Sequence, residues 1–208
     1  MEFKKILEKR KSIRVFSEKK VSKEDIREIV ADAQTTPSWV NSQPCKVFVA
    51  TGDVLEKIRN EYIEMAKSGV RGNPDFEVRM NEEWQEFPRK NMEMAPEYSL
   101  IGGIIQDGIF NAPAIVVLTI PKDSTKWSVL DLGGFAQTLV LSAGNKGIDS
   151  IHAYAVIKRP DIIRKYMNIP EDFDIATGIA LGYKVEGDPV NELKTERLPL
   201  DEILEIYE

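Results

Sequence analysis

Cationic side chains and a serine are concentrated near the N-terminus, in the stretch RKSIRVF. In an extended chain, Arg10, Ser12 and Arg14 project to the same side. The apolar Ile13 and Val15 then project to the opposite side and can anchor the stretch in a core. Because arginine pairs bidentately with phosphate oxygens, the stretch predicts an anion site; the alternative is that its charges are simply solvated.

A second polar stretch, PSWVNSQP at 37–44, lies between two prolines and directly before a predicted strand. The prolines restrict φ and stiffen the loop. Asn41 and Gln43 each carry a donor and an acceptor, which recognition of a heterocycle with carbonyl and N–H groups requires. The same composition is typical of a polar turn that ends a helix, so both interpretations stay open at this point.

Histidine and cysteine chemistry is nearly excluded, since the chain has one histidine, His152, and one cysteine, Cys45. A zinc site built from these residue types needs three or four ligands, and no motif such as GxSxG accompanies His152. We expect a packed or cavity-lining histidine and an inert, buried cysteine. The motifs GxGxxG and GxxxxGK[ST] are also absent. We predict no metal site and no catalytic side chain, so an enzyme of this kind needs a bound organic cofactor.

The charge balance limits the possible partners. The formal charge of −6 over 208 residues argues against general affinity for nucleic acid or an anionic membrane. No apolar run approaches the ~20 residues that span a bilayer, and the N-terminal stretch lacks the apolar core of a signal peptide. A single cysteine excludes an internal disulfide and fits a reducing compartment. We expect a cytoplasmic protein without a nucleic-acid or membrane partner.

Hydrophobic periodicity predicts the elements that position these stretches. The predicted helices cover 2–9, 23–34 after an N-cap at Ser22, 54–67, 129–146 and 160–167, with a weak helix at the C-terminus. The predicted strands cover 46–50, 114–120, 148–157 and 175–184. Irregular connections and few strands favour an α+β layer fold over a doubly wound sheet. No repeat or domain boundary is visible, so we expect one domain over residues 1–208.

Two segments have unusual patterns. The helix over 129–146 is apolar on most of its sides, which predicts burial in the core or against a second subunit. Its Gly133-Gly134 pair costs roughly 1 kcal/mol per glycine relative to alanine, which predicts close approach of another backbone. Residues 69–98 have little periodicity and carry Trp84 and Phe87. Such a long irregular stretch predicts a lid or an excursion from the core.

Taken together, RxSxRxF near the N-terminus and PSxxNxQP about 25 residues later resemble the FMN-dependent nitroreductase family. The likeness continues in the central dimerisation helix (DLGGFAQTLVLSA, 131–143), the turn that leaves it (147–150), the late strand (ATGIALGY, 176–183) and the C-terminal segment (KTERLPL, 194–200). The resemblance covers about 1–50 and 110–205. It is weak over 55–105, where family members differ and substrate choice is usually made.

The resemblance implies an α+β homodimer of three layers, with a central, mostly antiparallel sheet flanked by helices and a C-terminal segment that extends onto the partner subunit. It also implies two FMN sites at the subunit interface, each built from both chains. The implied FMN-binding residues, by matching position, are Arg10, Lys11, Ser12, Arg14, Ser38, Asn41, Gln43, Ala153, Tyr154, Lys194 and Arg197. The first four hold the phosphate and ribityl chain, and Lys194 and Arg197 complete the phosphate site. Lys11 replaces an arginine of many relatives, so it keeps the charge but loses the bidentate fork.

The remaining implied residues surround the isoalloxazine ring. Ser38 and Asn41 approach it from the partner chain with Gln43 beside them, and the backbone of Ala153 and Tyr154 meets the ring. The implied activity has two steps: NADH or NADPH reduces FMN and leaves, and an electron-poor acceptor then enters the same cleft and is reduced. Nitroaromatics and quinones are the usual acceptors of the family.

Three alternatives remain open. The first is a specialised flavin reductase such as a reductive dehalogenase, although Glu61, Tyr62 and Lys67 do not align with the Glu, Tyr and Lys of a dehalogenase lid. The second is a non-catalytic FMN-binding redox module, which would bind FMN without oxidising NAD(P)H. The third is a flavin-free scaffold, which would be colourless when purified.

Overall fold

Helices and strands alternate along the part of the chain that this computed structural model describes, residues 2–79, 81–92 and 107–208. The strands are β1 (Lys46–Thr51), β2 (Ala114–Pro121), β3 (Asp149–His152) and β4 (Phe173–Gly182). The α-helices in these ranges are α1 (Phe3–Lys9), α2 (Lys23–Gln34), α3 (Gly52–Lys67), α4 (Glu86–Met92), α5 (Lys126–Asn145), α6 (Tyr154–Ile157) and α7 (Pro160–Met167). None of these helices is both long enough and apolar enough to cross a membrane.

The four strands form one antiparallel sheet in the order β1-β2-β4-β3. β2 lies inside the sheet, and its residues from Ala114 to Ile120 are all buried. Such a continuous apolar run is expected where helices cover both faces of a strand. The register between β2 and β4 shifts after Leu118, which leaves Ala176 outside the pairing as a bulge. β1 and β3 are the two edges of this sheet.

Helices pack on both faces of the sheet and complete three layers. On one face, α3, α6 and α7 pack in a cluster that includes Tyr62 and Ile115. On the other face, α2 and α5 pack in a cluster that includes Ile29, Val116 and Leu139. Successive side chains of a strand point to opposite faces, so β2 contributes to both clusters. The predicted three-layer α+β fold with an antiparallel sheet is confirmed.

One predicted strand is only partly correct. The sequence predicts a strand over 148–157, but the strand ends at His152 and the chain then turns into α6. α6 crosses β4 at Gly178, where a Cβ atom would lie only 2.5 Å from the Val156 Cβ. A glycine in β4 therefore lets α6 pack on the sheet, which the local pattern does not show. The expected C-terminal helix is also wrong, because residues 200–208 hold only one short 3-10 turn.

The long helix α5 buries one side from Leu132 onward and is exposed near its start. Leu139 is completely buried, as predicted, whereas Leu130 is exposed. A Cβ atom on Gly134 would lie 3.2 Å from the side chain of Thr36, while Gly133 has open space around it. The predicted close approach therefore involves one glycine only, and its neighbour is a side chain rather than a backbone.

The predicted excursion over 69–98 falls only partly within the described residues, because residue 80 and the segment 93–98 lie outside them. The described part includes the short helix α4, which the sequence did not predict. The rings of Trp84 and Phe87 are exposed on this part of the chain, so they do not belong to the hydrophobic core of the chain.

Asp75 fastens the start of the excursion to α7 and β4. Its carboxylate pairs with the Arg164 guanidinium at 2.7 and 3.2 Å and accepts a hydrogen bond from the Ile175 amide at 2.7 Å. Arg164 also donates to the Phe173 carbonyl at 2.7 Å. These contacts lie beside the bulge at Ala176. The Asp75 carboxylate therefore links the excursion to the irregular first part of β4.

Replacing Asp75 with asparagine is expected to lower the free energy of unfolding by about 1–3 kcal/mol, because the largely buried Arg164 loses its counter-charge. Urea unfolding followed by circular dichroism measures the loss. Glu77→Gln is the matched control, since Glu77 is exposed and its ion pair with Arg79 is long, at 3.6 Å. Equal losses in the two variants would contradict the anchoring role of Asp75.

Candidate functional site

Asn191, near the C-terminus, holds the N-terminal cationic stretch in place. Its side chain is completely buried. Its Oδ1 accepts hydrogen bonds from the amides of Arg14 and Val15 at 2.8 and 3.0 Å, and its Nδ2 donates to the Val15 carbonyl at 2.7 Å. One amide side chain thus satisfies the backbone of this stretch as a neighbouring strand would. Sequence reasoning missed Asn191, because no local pattern marks it and its partner Val15 is 176 positions away.

The predicted alternation of side chains is wrong at Arg14. Ile13 is buried as predicted, but Arg14 is buried too, with 6% of its surface exposed, and its guanidinium donates to the Ser12 carbonyl at 3.1 Å. The stretch is not a regular strand, since it pairs only through isolated bridges of Ser12 and Phe16. The protein covers the stretch at Arg14, so Arg14 does not lie on a solvent-exposed side of a strand. A contact of Arg14 with a phosphate stays a prediction.

A cavity of about 590 Å³ brings together cations from both ends of the chain. Arg10 and Lys11 line it from the N-terminal stretch, and Lys194 lines it from the C-terminal segment. Its charged lining residues are the cations Lys9, Arg10, Lys11, Lys184 and Lys194 and the carboxylates Glu8, Asp149, Glu186 and Glu192. Arg197 is exposed outside this lining, and its guanidinium donates to the Thr195 Oγ1 at 2.7 Å. Its predicted phosphate contact stays a prediction.

The polar loop predicted at 37–44 is held in shape by hydrogen bonds of its own side chains. The Ser38 Oγ accepts a hydrogen bond from the Gln43 amide at 2.9 Å, and the Gln43 Nε2 donates to the Asn41 Oδ1 at 3.1 Å. Val40, Asn41 and Gln43 have positive φ angles of 45°, 57° and 44°. Each such residue costs of order 1–3 kcal/mol, and residues of this kind cluster at functional sites. Val40 is 83% exposed, so packing does not explain why its strain is retained.

Asp131 on α5 connects this loop to the long helix. Its carboxylate accepts a hydrogen bond from the Trp39 amide at 3.0 Å, and the Trp39 ring stacks on Trp127 with centroids 5.0 Å apart. The loop and Asp131 also line a small cavity of about 120 Å³ together with Cys45. Burial, with a smaller effect of Asp131, raises the pKa of the Cys45 thiol to about 11. The raised pKa keeps the thiol in its protonated, less nucleophilic form at neutral pH; that Cys45 is inert stays a prediction.

An exposed apolar surface surrounds the stacked rings. It consists of Trp39, Val40, Trp127 and Leu130, all exposed, and we name it the apolar face. Leu130 lies one helical turn after Trp127 and therefore on the same side of α5. Contiguous exposed apolar surface of this kind marks an interaction site.

The turn at Ala153 and Tyr154 begins α6 beside β4. The Ala153 amide donates to the Gly178 carbonyl at 2.9 Å, and the Ala153 carbonyl accepts from the Val156 amide at 3.1 Å. The fold therefore already uses both backbone groups of Ala153. Tyr154 is exposed and is the first residue of α6, where an amide has no acceptor within the helix. Tyr154 is thus better placed than Ala153 to offer a backbone donor to a ligand.

His152 precedes this turn and links it to the cationic stretch. His152 is exposed and is therefore not packed in the core, and its expected place in the lining of a cavity stays a prediction. Partial desolvation and the positive charge of Arg10 lower the pKa of His152 below its usual range, so the imidazole is neutral at physiological pH. The bridge between Ser12 and Ser150 places the cationic stretch beside β3, the strand that leads to this turn.

The predicted residues thus form two groups at opposite ends of α5. The amide loop contacts Asp131, near the start of the helix, and the cationic cavity is lined by Gly144, near its end. Thirteen residues separate these positions, which is about 20 Å along an α-helix. The two groups also line different cavities of the chain.

An antiparallel sheet thus lies between two helical layers, with a cavity that several cations line at one sheet edge and a polar loop beside a long central helix. The chain belongs to the nitroreductase family, whose family model matches residues 7–183.

Characterised relatives and a solved structure are similar over nearly the whole chain. Nitrobenzene nitroreductase of Ectopseudomonas oleovorans is 23% identical and covers 95% of this chain and 93% of its own length. The 4-nitrobenzoate reductase of Pseudomonas putida is 25% identical, with coverage of 94% and 91%. The crystal structure of FMN-dependent nitroreductase NfnB from Mycobacterium smegmatis in complex with NADPH has a TM-score of 0.90 at 21% identity, with coverage of 99% and 97%. This structural similarity confirms the fold.

Proposed function

We propose that the protein is an FMN-dependent oxidoreductase that uses NAD(P)H to reduce an electron-poor acceptor. Membership of the nitroreductase family supports the class, and the names of two relatives include nitrobenzene and 4-nitrobenzoate. The observation that carries the proposal is the cavity that joins Arg10 and Lys11 with Lys194. Cations from both ends of the chain converge there, and such cations form strong charge-assisted hydrogen bonds with a phosphate.

The side chains present fit the two ends of FMN. In the proposed site, Arg10, Lys11 and Lys194 bind the phosphate, because the cavity holds their positive charges together. The loop at 38–43 binds the ring of the cofactor held by the other subunit, since its side chains offer both donors and acceptors. Tyr154 contributes its backbone amide beside the ring.

FMN, when bound, would supply the redox chemistry by which a hydride from NAD(P)H reduces a nitroaromatic or quinone acceptor in the same cleft. The role of the protein chain is to bind, orient and enclose these molecules. We assign no catalytic side chain, because the redox chemistry would be that of the cofactor.

We also infer that two copies form a homodimer through the apolar face. Pairing would bury Trp39, Trp127 and Leu130, which are exposed in the single chain. The apolar face includes part of the loop at 38–43, so pairing would bring this loop to the second subunit. The separation of about 20 Å between the two groups of residues supports sites that are built from both chains.

The C-terminal segment is the second element expected to extend onto the partner subunit. Residues 194–208 hold no helix apart from the 3-10 turn Leu200–Glu202. Ile203, Leu204, Ile206 and Tyr207 follow this turn and are exposed. Four apolar side chains so close together need a covering surface, and the second subunit supplies one in this proposal.

Reconstitution with FMN tests the proposed function. The protein is expected to bind FMN, and the absorbance of the bound flavin should bleach with NADH or NADPH under anaerobic conditions and return when 4-nitrobenzoate is added. Comparing the two nicotinamides ranks them as donors. Flavin that binds but is reduced by neither would favour a redox module, and reoxidation only by a halogenated aromatic amino acid would favour a dehalogenase. Protein that stays colourless with FMN would contradict the proposal.

A further inference from the structure

Glu192 places a negative charge in the cavity that we assign to the FMN phosphate. Its carboxylate pairs with the Lys11 ammonium at 3.0 Å, and the charges of Lys184 and Lys194 also act on it. The hydrogen bond from Lys11, followed by these charges, lowers the pKa of Glu192. The carboxylate is therefore ionised at neutral pH. Two cations of the proposed phosphate site, Lys11 and Lys194, thus already face an anion of the protein itself.

The fold determines where Glu192 lies. The preceding residue, Asn191, is completely buried and binds the backbone of Arg14 and Val15. Lys11 belongs to the same N-terminal stretch that Asn191 holds. The ion pair therefore joins two segments that buried hydrogen bonds already tie together, and the Glu192 side chain lies half-exposed beside Lys11.

The charge of the cavity makes this pair important. Its lining holds five cations and four carboxylates, whereas a phosphate monoester carries a charge of about −1.5 to −2 at neutral pH. Glu186 pairs with Lys184 at 2.9 Å and is largely exposed, and Asp149 accepts a hydrogen bond from the Lys184 backbone. Among the four carboxylates, within the described residues, Glu192 is the one with an ion pair to a proposed phosphate ligand.

We propose that Glu192 sets the affinity for FMN, because its carboxylate competes with the cofactor phosphate for Lys11. The inference rests on the proposed function, since it requires the phosphate in this cavity. Removing the carboxylate strengthens cofactor binding, whereas a purely structural role of the ion pair predicts the opposite sign. The effect acts on the phosphate alone, so flavins with and without this group respond differently.

Titration of FMN and riboflavin into the flavin-free full-length protein tests the inference. Glu192→Gln is expected to tighten FMN binding about three- to tenfold and to change riboflavin binding less than about twofold, because riboflavin lacks the phosphate. The gain for FMN should shrink as ionic strength rises from about 0.01 M to about 1 M, since salt screens the repulsion.

Matched variants separate charge from side-chain structure. Glu186→Gln removes a carboxylate that is exposed and paired with Lys184, and it should change FMN affinity less than about twofold. Glu192→Asp keeps the charge and should not tighten binding. Lys11→Met should weaken FMN binding and leave riboflavin binding unchanged.

The possible outcomes distinguish this inference from the proposed function. Weaker FMN binding by Glu192→Gln, or an equal gain for FMN and riboflavin, would overturn the role of Glu192 and leave an FMN-dependent enzyme intact. Equal affinity of the wild-type protein for FMN and riboflavin would show that the phosphate lies outside this cavity, which also overturns the inference. Absence of binding of either flavin would contradict the proposed function itself.

Discussion

Replacing Asn191 with alanine is expected to lower the free energy of unfolding by about 3–5 kcal/mol. The side chain is completely buried and satisfies the amides of Arg14 and Val15 and the Val15 carbonyl. Alanine leaves the two amides without this acceptor, at a cost of about 1–3 kcal/mol each, whereas the Val15 carbonyl keeps the hydrogen bond from the Val185 amide. Urea unfolding measures the loss, and bound flavin per chain should fall with it, because the same bonds position the cationic stretch.

Asn60→Ala is the control for this variant. Asn60 is exposed on α3, and substitutions at such positions change the free energy of unfolding by about 0.5 kcal/mol or less. If Asn191→Ala were as mild as this control, the N-terminal stretch would be held by its own bridges, and the clamp that we assign to Asn191 would be wrong. Normal stability with reduced flavin content would instead limit its role to the site.

The second large effect is expected from Leu130→Glu on the apolar face. Leu130 is 64% exposed in the single chain, so the substitution should leave the fold of the isolated subunit intact. In the proposed homodimer the new carboxylate would be buried without a partner, at a cost of about 3–5 kcal/mol. This corresponds to a rise of more than about a hundredfold in the dimer Kd. Light scattering during size-exclusion chromatography measures the mass, and flavin content should fall together with the dimer.

Val78→Glu is the matched control, since Val78 is also an exposed apolar residue but belongs to the excursion and not to the apolar face. It should leave both mass and flavin content unchanged. A Leu130→Glu variant that stays dimeric and fully loaded with flavin would place the subunit interface elsewhere. A monomeric variant with full flavin content would show that one chain forms a complete site, contrary to the two separated groups of residues.

Local features of the sequence predicted the local structure well. The N-cap of α2 is an example, because the Ser22 Oγ accepts a hydrogen bond from the Asp25 amide at 2.9 Å, a contact between near neighbours in the chain. The unbroken apolar run over 114–120 likewise predicted a strand covered on both faces. Such signals are reliable where the residues that interact are also adjacent in sequence.

The candidate site was less predictable, because its contacts join distant parts of the chain. The resemblance indicated Arg10, Lys11 and Lys194, and the structure brings these three to one cavity. Nothing local indicated Asn191 or Glu192, which bind the N-terminal stretch from the C-terminal side. Individual roles toward FMN stay predictions until binding is measured.

The sequence by itself determined the α+β class, most element positions and the family, because periodicity, caps and short motifs are encoded by neighbouring residues. Only the tertiary structure decided that Arg14 is buried, that the strand after residue 148 ends at His152, and that a carboxylate lies among the cations of the cavity. The physical reason is that each depends on a distant partner: the bridges of the N-terminal stretch, the space above Gly178 and the ion pair of Glu192.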